Sequence, residues 1–507
     1  MAEPQRGNIR RYCIRVLVGI LVFGNVGLYY FLESFWNIEY IYANQLRFCV
    51  TSPTSTFRVG DELRVKISAR DPQNMIANVG DFLRASIYTS TSSSSAFGDI
   101  KDHENGTYTV LFRLLWSGDV RINIQLISSR QTVDIIERTV LDFPADKIMF
   151  RRRYMTDGEE PVHVLCNVDP GVLRAESGVC NYSDPHAGAR WFCEKAEIFS
   201  CDEDRGFHGI HMYKATGDML EKGEEQRFRK ALFYGEANAA KIPLSGSPAK
   251  VCVMEGVDPL ANRAHCMPGH PNPPVSGFYH HGVWESLVCE NRHFITRSEW
   301  EQCLTDKTLH FFGDSTIRQW YEELVKILDM VEVPIVGAIH NTGPLLAHDS
   351  ENNITVKFRI HGPPLRSAWT ATAHLKYVAN AIDEIRGGPN DVVGISVCAH
   401  FTSYPVDVYR ERLAAIRAAL ERLLHRSPDT IVVIKSANTR TGNELIGGNW
   451  LLHKLDLMMR EIFAGMKVVF LDAWEMTSAH WSEDNIHPSS EVVKQELEFL
   501  CSFICPL

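Results

Sequence analysis

The sequence predicts a multidomain protein, with an N-terminal β-sandwich of the immunoglobulin or filamin kind and a C-terminal α/β domain built on a parallel sheet. Its 507 residues correspond to roughly three folding units at about 150 residues each. Apolar residues alternate with a period of two before residue 150, which predicts the β-sandwich. Strand and helix patterns alternate after residue 305, which predicts the α/β domain. The net charge of −10 gives no basic face, so nucleic acid is not an expected partner.

The first element is an uncharged run from Val16 to Leu32, bounded by Arg15 and Glu33. It is near the short end of the roughly 17–25 residues that span a bilayer. Arginines precede it, so the positive-inside rule predicts residues 1–15 as a cytosolic tail and 16–32 as a signal-anchor helix. This gives a single-pass type II membrane protein of the Golgi or endoplasmic reticulum. The alternative is a signal peptide cleaved after Ala43, which would give a secreted form.

Cysteines and glycosylation sequons agree with a lumenal location. The chain has 13 cysteines, and in an oxidising compartment their density indicates disulfides whose connectivity the sequence leaves open. Eight are concentrated in the middle of the chain: Cys166, Cys180, Cys193, Cys201, Cys252, Cys266, Cys289 and Cys303. No C-x-x-C pair occurs and His280-His281 has no suitably spaced partner, so we expect no metal site. Asn105, Asn181 and Asn353 begin glycosylation sequons.

Residues 45–150 have the pattern of the β-sandwich. Apolar and polar residues alternate around Leu63 to Ile67 and again around Val120 to Leu126. Gly-Asp and Asn-Gly pairs between these runs predict turns. The stretch from Thr89 to Ser95 contains only Ser and Thr, and we expect it to be an exposed loop.

Residues 151–300 show no clear period, and we predict a cysteine-bearing connector stapled by cystines. Arg151 to Arg153 reads as a solvated linker.

Residues 301–507 alternate between apolar runs and helical periods, which is typical of a parallel sheet covered by helices. The predicted strands are Leu309–Phe312, Val333–Ile339, Ile354–Ile360, Val392–Cys398, Ile431–Ile434 and Val468–Leu471. Helices are predicted from Ile317 to Leu328, Thr370 to Ile385, Tyr409 to Leu424 and Trp450 to Phe463. Functional sites of such folds lie at the carboxyl ends of the strands.

Two motifs in this region carry chemistry. Gly313-Asp314-Ser315 lies where a strand passes into a helix, and free N–H groups at a helix start favour developing negative charge. A serine hydroxyl needs a base, which Asp484-Asn485-Ile486-His487 provides after the last predicted strand. The histidine can accept and return a proton near neutral pH, and a nearby aspartate can hold its tautomer.

Gly-Asp-Ser followed by a terminal Asp-x-x-His resembles the SGNH (GDSL-type) hydrolase superfamily and its PC-esterase branch. The block from Phe312 to Trp320 is similar to the neurexophilin and PC-esterase domain family, as is the order of anchor, neurexophilin-like sandwich, connector and esterase domain. The resemblance implies an SGNH-type three-layer domain at 301–507. It also implies Ser315 as nucleophile, His487 as base, Asp484 as orienting acid, and acyl transfer on glycans.

The same resemblance implies an oxyanion hole. Gly362, in His361-Gly362-Pro363-Pro364, is the candidate for the first donor, although the residues alone fit a plain turn equally well. Where the superfamily has Gly-x-Asn, this chain has Cys398-Ala399-His400, and His400 would donate in place of the asparagine.

Two functions remain open on the sequence. One is a lumenal serine-dependent O-acyltransferase or esterase, acting with acetyl groups on a glycan or other acyl acceptor. It would bind no resident cofactor and would use an acyl donor such as acetyl-CoA. The other is a non-catalytic secretory-pathway or cell-surface glycoprotein whose sandwich binds a protein ligand.

Overall fold

The computed structural model describes residues 46–506 except for 53–55, 70–79, 90, 92, 142–147, 158–159, 175, 203–205, 214–219, 225–227, 229–241, 244, 248–249, 364, 366–367, 442–444 and 446. The expected tail (1–15) and anchor (16–32) therefore lie outside the described residues. Among the helices of the described part, none has the length and apolar character needed to cross a membrane.

The first segment is β-structure with alternating burial. Its strands are β1 (Leu46–Val50), β2 (Phe57–Arg58), β3 (Glu62–Ala69), β4 (Phe82–Thr89), β5 (Ser94–Phe97), β6 (Asp99–Asp102), β7 (Thr107–Arg113) and β8 (Gly118–Ser128). The apolar residues predicted to alternate in β3 and β8 point into one core, because successive side chains of a strand face opposite sides.

The expected exposed loop at Thr89–Ser95 is wrong at its carboxyl end. Ser94 and Ser95 begin β5 and are 1% and 4% exposed. Small hydroxyl side chains fit here because they find internal partners: the Ser95 hydroxyl donates to the Ala479 carbonyl at 2.6 Å.

The following segment contains helix α1 (Arg130–Ile136) and a π-helical turn (Glu137–Leu141). Its strands are β9 (Ile148–Tyr154), β10 (Val162–Asn167), β11 (Val179–Asn181), β12 (Phe192–Glu194) and β13 (Gly206–Tyr213), with 3₁₀ turns at Pro170–Val172 and Pro185–Ala187. Arg151 to Arg153 lie in β9, so the solvated-linker prediction is wrong. Arg152 is 2% exposed and lies over the rings of Tyr154 and Tyr182.

The segment before residue 300 returns to the first two sheets. It contains β14 (Ile242–Pro243), β15 (Ser245–Ser247), β16 (Lys250–Met254), β17 (Gly277–His280) and β18 (Val283–Ser286). One sheet has the order β15-β1-β3-β7-β6 and the other β18-β17-β5-β4-β8-β16-β2, with β14 on β8. The two sheets share one apolar core. The irregular backbone expected at 151–300 is therefore wrong, because strands β9 to β18 of this segment are paired in sheets. The immunoglobulin or filamin type and the division into domains stay predictions.

Disulfides join seven of the eight clustered cysteines and one at the chain end. The pairs are Cys166–Cys193, Cys180–Cys201, Cys266–Cys289 and Cys303–Cys505. Cys252, expected among the bridged residues, is an exposed free thiol in β16.

The C-terminal segment contains a mostly parallel sheet between two helical layers. Its strands are β19 (Thr308–Gly313), β20 (Val331–Glu332), β21 (Leu345–Asp349), β22 (Ile354–Ile360), β23 (Thr370–Ala371), β24 (Asp391–Ser396), β25 (Ile431–Lys435) and β26 (Val469–Leu471). Its helices are α2 (Arg297–Leu304), α3 (Ser315–Leu328), α4 (Val378–Asp383), α5 (Val406–Arg426), α6 (Asn449–Phe463), α7 (Ala473–Ala479) and α8 (Ser490–Ile504), with 3₁₀ turns at Thr372–His374 and Ala399–Ser403.

The sheet order is β20-β21-β22-β19-β24-β25-β26, and the strands from β22 to β26 in that order are parallel. Alternate residues of the central strands enter two separate apolar cores. Val432 and Ile434 pack in the core with α4, α5 and α6, whereas Val433 packs in the core with α3, α7 and α8. The sheet is therefore covered on both faces, which confirms the predicted α/β class.

Two predicted elements differ from the structure. The expected strand at Val333–Ile339 is a largely exposed loop after β20, because an apolar run without a buried face gains nothing from pairing. The expected helix at Thr370–Ile385 begins with β23, which pairs with β13 of the middle sheet, and becomes helical only at Val378.

Across the sheet the parallel strands are β22, β19, β24, β25 and β26. In the order of the chain they are the second, first, third, fourth and fifth parallel strands. In such sheets the connections leave in opposite directions after the first and third strands, and ligands bind in the crevice between their carboxyl ends. Here those strands are β19 and β24, which end at Gly313 and Ser396.

Candidate active site

The carboxyl end of β19 places Ser315 at the first position of α3. Gly313 has φ +149°, and a Cβ atom there would lie 1.8 Å from the Ser396 carbonyl oxygen of β24. Only glycine permits this approach of two backbones. The chain then turns sharply into the helix, so the half-buried Ser315 hydroxyl stands at the switch point beside first-turn N–H groups that have no acceptor within the helix.

The loop between α7 and α8 brings His487 to this serine. His487 Nε2 lies 2.6 Å from Ser315 Oγ, across 172 residues of sequence. The histidine exposes part of its ring to solvent, yet the surrounding protein desolvates it enough to lower its pKa below 6.5. The nearby charges of Asp314 and Glu322 oppose this shift, and those of Arg318 and Arg440 add to it. The imidazole is therefore neutral at neutral pH, as a general base requires.

The carboxyl end of β25 fixes the backbone of the His487 loop. The Asn438 amide donates to the Ile486 carbonyl at 2.9 Å, and its oxygen accepts from the buried Lys435 ammonium at 2.6 Å. Lys435 also lies 3.4 Å from Glu496. Lys435 determines which way the Asn438 amide faces. The Ile486 carbonyl, in the residue before His487, is therefore bound by a side chain whose own orientation is fixed.

Asp484, expected to orient His487, is 4% exposed and directs its carboxylate elsewhere. Both its oxygens accept from one guanidinium nitrogen of Arg84 at 2.8 Å, and Oδ1 also accepts from the Thr439 hydroxyl at 3.0 Å. Arg84 belongs to β4 of the first segment. Within the described residues, no hydrogen bond joins Asp484 to His487.

Asp314, between Gly313 and Ser315, joins the helix start to the end of β24. One carboxylate oxygen accepts from the Thr316 amide and hydroxyl at 2.9 and 2.7 Å. The other accepts from the Cys398 and Ala399 amides at 3.3 and 2.9 Å. Burial alone would raise the pKa of Asp314, but the nearby His400 and the Thr316 hydrogen bonds outweigh it and hold this pKa below its usual value. Asp314 is therefore a buried carboxylate.

Two histidines meet above the end of β19. His361 follows β22 and His400 follows β24, the two neighbours of β19, and His361 Nε2 lies 2.8 Å from His400 Nδ1. His361 is fully buried, and burial lowers its pKa well below 6.5. Because His361 occupies Nδ1 of the half-buried His400, the orientation of the His400 ring is fixed and its Nε2 edge faces away from the pair.

Gly362 requires glycine for a packing reason. Its φ is +80°, and a Cβ atom would lie 2.7 Å from the Tyr377 ring. The buried Arg412 guanidinium of α5 donates to the His361 and Pro363 carbonyls on either side. The backbone next to the site is thus held rigidly. The donor roles of Gly362 and His400 stay predictions.

The remaining candidate residues are the three sequon asparagines and a group with metal-like spacing. Asn105, Asn181 and Asn353 are all exposed, as glycosylation requires. Within the described residues, the group with metal-like spacing is Cys166, Cys193 and His208. Its two cysteines form a disulfide, which leaves no thiolate ligand.

The architecture and the site define a parallel α/β domain with a Ser–His pair at its switch point, joined to a two-sheet β segment. Residues 284–505 match the family model described as "NXPE family member 4-like, C-terminal domain", and residues 37–214 match the Neurexophilin model. The two models, each matched over less than half of the chain, confirm the resemblance to the neurexophilin and PC-esterase domain family found in the sequence.

Among solved structures, the chain is similar to a protein from Parabacteroides merdae described as a GDSL-like lipase. The two share 12% identity over 39% of this chain and 97% of the other, with a TM-score of 0.24.

Sequence reasoning missed three side chains that shape the site: Arg84, Asn438 and His361. The sequence around Arg84 does not indicate its role, because Arg84 lies in a β-strand 400 residues before its partner Asp484. Asn438 and His361 both follow predicted strands, and a search for polar residues at strand ends would have found them.

Proposed function

We propose that the protein is a serine-dependent acyltransferase or esterase of the SGNH type, with Ser315 as nucleophile and His487 as general base. The observation that carries this proposal is the 2.6 Å contact between Ser315 Oγ and His487 Nε2 at the start of α3. A hydroxyl in hydrogen-bond contact with a neutral imidazole is the usual arrangement of an activated serine nucleophile.

In the first half-reaction the hydroxyl donates its proton to His487 Nε2 while Oγ attacks the acyl carbonyl carbon. The carbonyl oxygen becomes an oxyanion, which N–H donors at the start of α3 stabilise. His400 Nε2–H and the Gly362 amide are proposed as further donors. Collapse of the intermediate breaks the bond to the leaving atom, the oxygen of an ester donor or the sulfur of a thioester donor. That atom receives the proton from His487, and an acyl ester is left on Ser315.

In the second half-reaction His487 takes a proton from the acceptor hydroxyl, and that oxygen attacks the carbonyl carbon of the acyl ester. Collapse of this second intermediate breaks the bond to Ser315 Oγ, which receives the proton from His487, and the free serine is restored. Water as acceptor gives an esterase, and a sugar hydroxyl gives a transferase. The family resemblance supports a glycan acceptor, with an acetyl donor such as acetyl-CoA, and the exposed sequons support a location in the secretory pathway. A type II anchor at residues 16–32 would place the site in the Golgi or endoplasmic reticulum lumen.

The test uses purified lumenal protein and 4-nitrophenyl acetate, with release of nitrophenolate and acetate as the readout. Wild-type protein should form an acetyl ester on Ser315 that mass spectrometry can locate, and Ser315→Ala should release acetate only at the buffer rate. Ser482→Ala, in an exposed serine of the same loop, is the matched control. Equal rates for wild type and Ser315→Ala would rule the proposal out.

The second candidate is a non-catalytic binding glycoprotein. The Neurexophilin match over residues 37–214 favours it, as does the bonding of Asp484 to Arg84 instead of to His487. This candidate predicts a folded protein in which a fluorophosphonate probe leaves Ser315 unlabelled.

A further inference from the structure

The ion pair between Arg84 and Asp484 joins two distant parts of the chain at the base of the His487 loop. Both side chains are buried, with 4% and 0% of their surface exposed. The Arg84 guanidinium also lies over the Trp474 ring at 5.8 Å. A buried charge pair is costly to break, because removal of one member leaves the other uncompensated in a medium of low polarity.

Further hydrogen bonds hold α7, the helix immediately before the loop, against the sheet that contains β4. The Ser95 hydroxyl of β5 donates to the Ala479 carbonyl, the last residue of α7. The Ser276 amide and hydroxyl, just before β17, donate to Glu475 of α7 at 2.6 and 2.7 Å. Strands β4, β5 and β17 are neighbours in one sheet of the first segment. That sheet therefore forms the surface on which α7 and the loop rest.

We propose that Arg84 is a positioning residue for catalysis: the sheet containing β4 holds Asp484, and Asp484 holds the loop that carries His487 against Ser315. The C-terminal α/β domain is then an incomplete catalytic unit without the preceding β-segment. Asp484 acts through the loop and not as the hydrogen-bond partner of His487. The activity readout of this inference rests on the proposed function.

The size of the effect separates the two roles of Asp484. Loss of an acid that directly holds the base in its tautomer costs about 10⁴-fold in kcat. Displacement of a reacting group by about 1 Å costs about 10²-fold. We therefore expect Arg84→Gln and Asp484→Asn each to slow labelling of Ser315 by about 10–100-fold, with kcat on the ester reduced and KM little changed.

The experiment measures fluorophosphonate labelling of Ser315 in the full lumenal chain. The variants are Arg84→Gln, Asp484→Asn, their double variant and Arg84→Lys, and the control is Arg64→Gln, in an exposed arginine of the same β-segment. The double variant should be no slower than the worse single variant, because the neutral Gln and Asn leave no unpaired charge. Arg84→Lys, which keeps the charge, should recover part of the rate.

Hydrogen exchange of peptides covering residues 473–489 supplies a readout independent of activity. Both single variants should lose protection there and keep it in β19 and β24. The inference would be overturned if Arg84→Gln kept the wild-type labelling rate and the wild-type hydrogen exchange. It would also be overturned if only Asp484→Asn lost activity, and by about 10⁴-fold. If wild-type Ser315 is unreactive, the proposed function fails. Hydrogen exchange then still tests the inference. If the losses of protection in the two single variants added up in the double variant, the inference would be contradicted.

Discussion

Replacement of Asp314 by asparagine tests how the switch point is held together. The aspartate accepts four hydrogen bonds, from the Thr316 amide and hydroxyl on one oxygen and from the Cys398 and Ala399 amides on the other. An asparagine of the same shape has one oxygen, so its NH₂ group must face backbone N–H donors on one side. The substitution also removes a negative charge at the start of α3.

The magnitude follows from the bonds lost. One or two buried N–H groups lose their acceptor, at a mid-range cost of about 2 kcal/mol each, so Asp314→Asn should destabilise the fold by about 2–4 kcal/mol. For a domain of this size each kcal/mol lowers Tm by about 2–4 °C, which gives a decrease of roughly 4–16 °C. The separation of α3 from the end of β24 should also misplace Ser315 and slow its reaction.

The assay is thermal unfolding followed by tryptophan fluorescence, together with probe labelling of Ser315. Ser315→Ala is the matched control, since it removes the proposed nucleophile at the neighbouring position. Among the described residues the Ser315 side chain forms a hydrogen bond only with His487, so the Tm of this variant should stay at the wild-type value. An Asp314→Asn protein with wild-type Tm and labelling would refute the account of Asp314 as the joint between the two strand ends.

Three further outcomes are expected. The rate of Ser315 labelling should rise with pH through a midpoint below 6.5, because burial lowers the pKa of His487 and only its neutral form accepts a proton; a midpoint above 7 would contradict this. Cys303→Ser opens a loop of 202 residues closed by Cys505 and should cost about 2–5 kcal/mol in chemical denaturation, whereas Cys252→Ser should cost nothing measurable. His361→Phe keeps a planar ring at this buried position but frees the His400 ring, so kcat should fall by up to the roughly 10²–10³-fold that loss of an oxyanion donor costs; an unchanged kcat would remove His400 from the oxyanion hole.

The sequence predicted those parts of the fold whose signal is local. Strands β3, β8, β19 and β22 follow from apolar alternation or short apolar runs, and α5 follows from its period of buried residues. Ser315 and His487 were found because each lies next to such an element, in a loop or turn with chemistry-bearing residues. The strand-end rule then brings them to the same edge of the sheet.

The parts that were not predicted depend on pairing between distant segments. Strands β14 and β15 have two and three residues, too few to show a period, and exist because β8 and β1 offer them open edges. The serines of β5 read as loop because composition carries no information on partners. Arg152 was predicted to be solvated because local sequence does not show that Tyr182, from another part of the chain, covers its guanidinium together with Tyr154 of the same strand.

The geometry of the Ser–His pair shows how orientation is achieved when the nearby carboxylate is bonded elsewhere. The Asn438 amide, held by Lys435, fixes the Ile486 carbonyl, and the Asn485 side chain accepts from the His487 amide at 3.0 Å. These bonds act on the backbone, so they fix the position of the histidine without selecting its tautomer. The tautomer must then be selected by the Ser315 hydroxyl itself, which donates only to an unprotonated Nε2. In the proposed mechanism this base is in place before substrate binds, and burial keeps its pKa below 6.5.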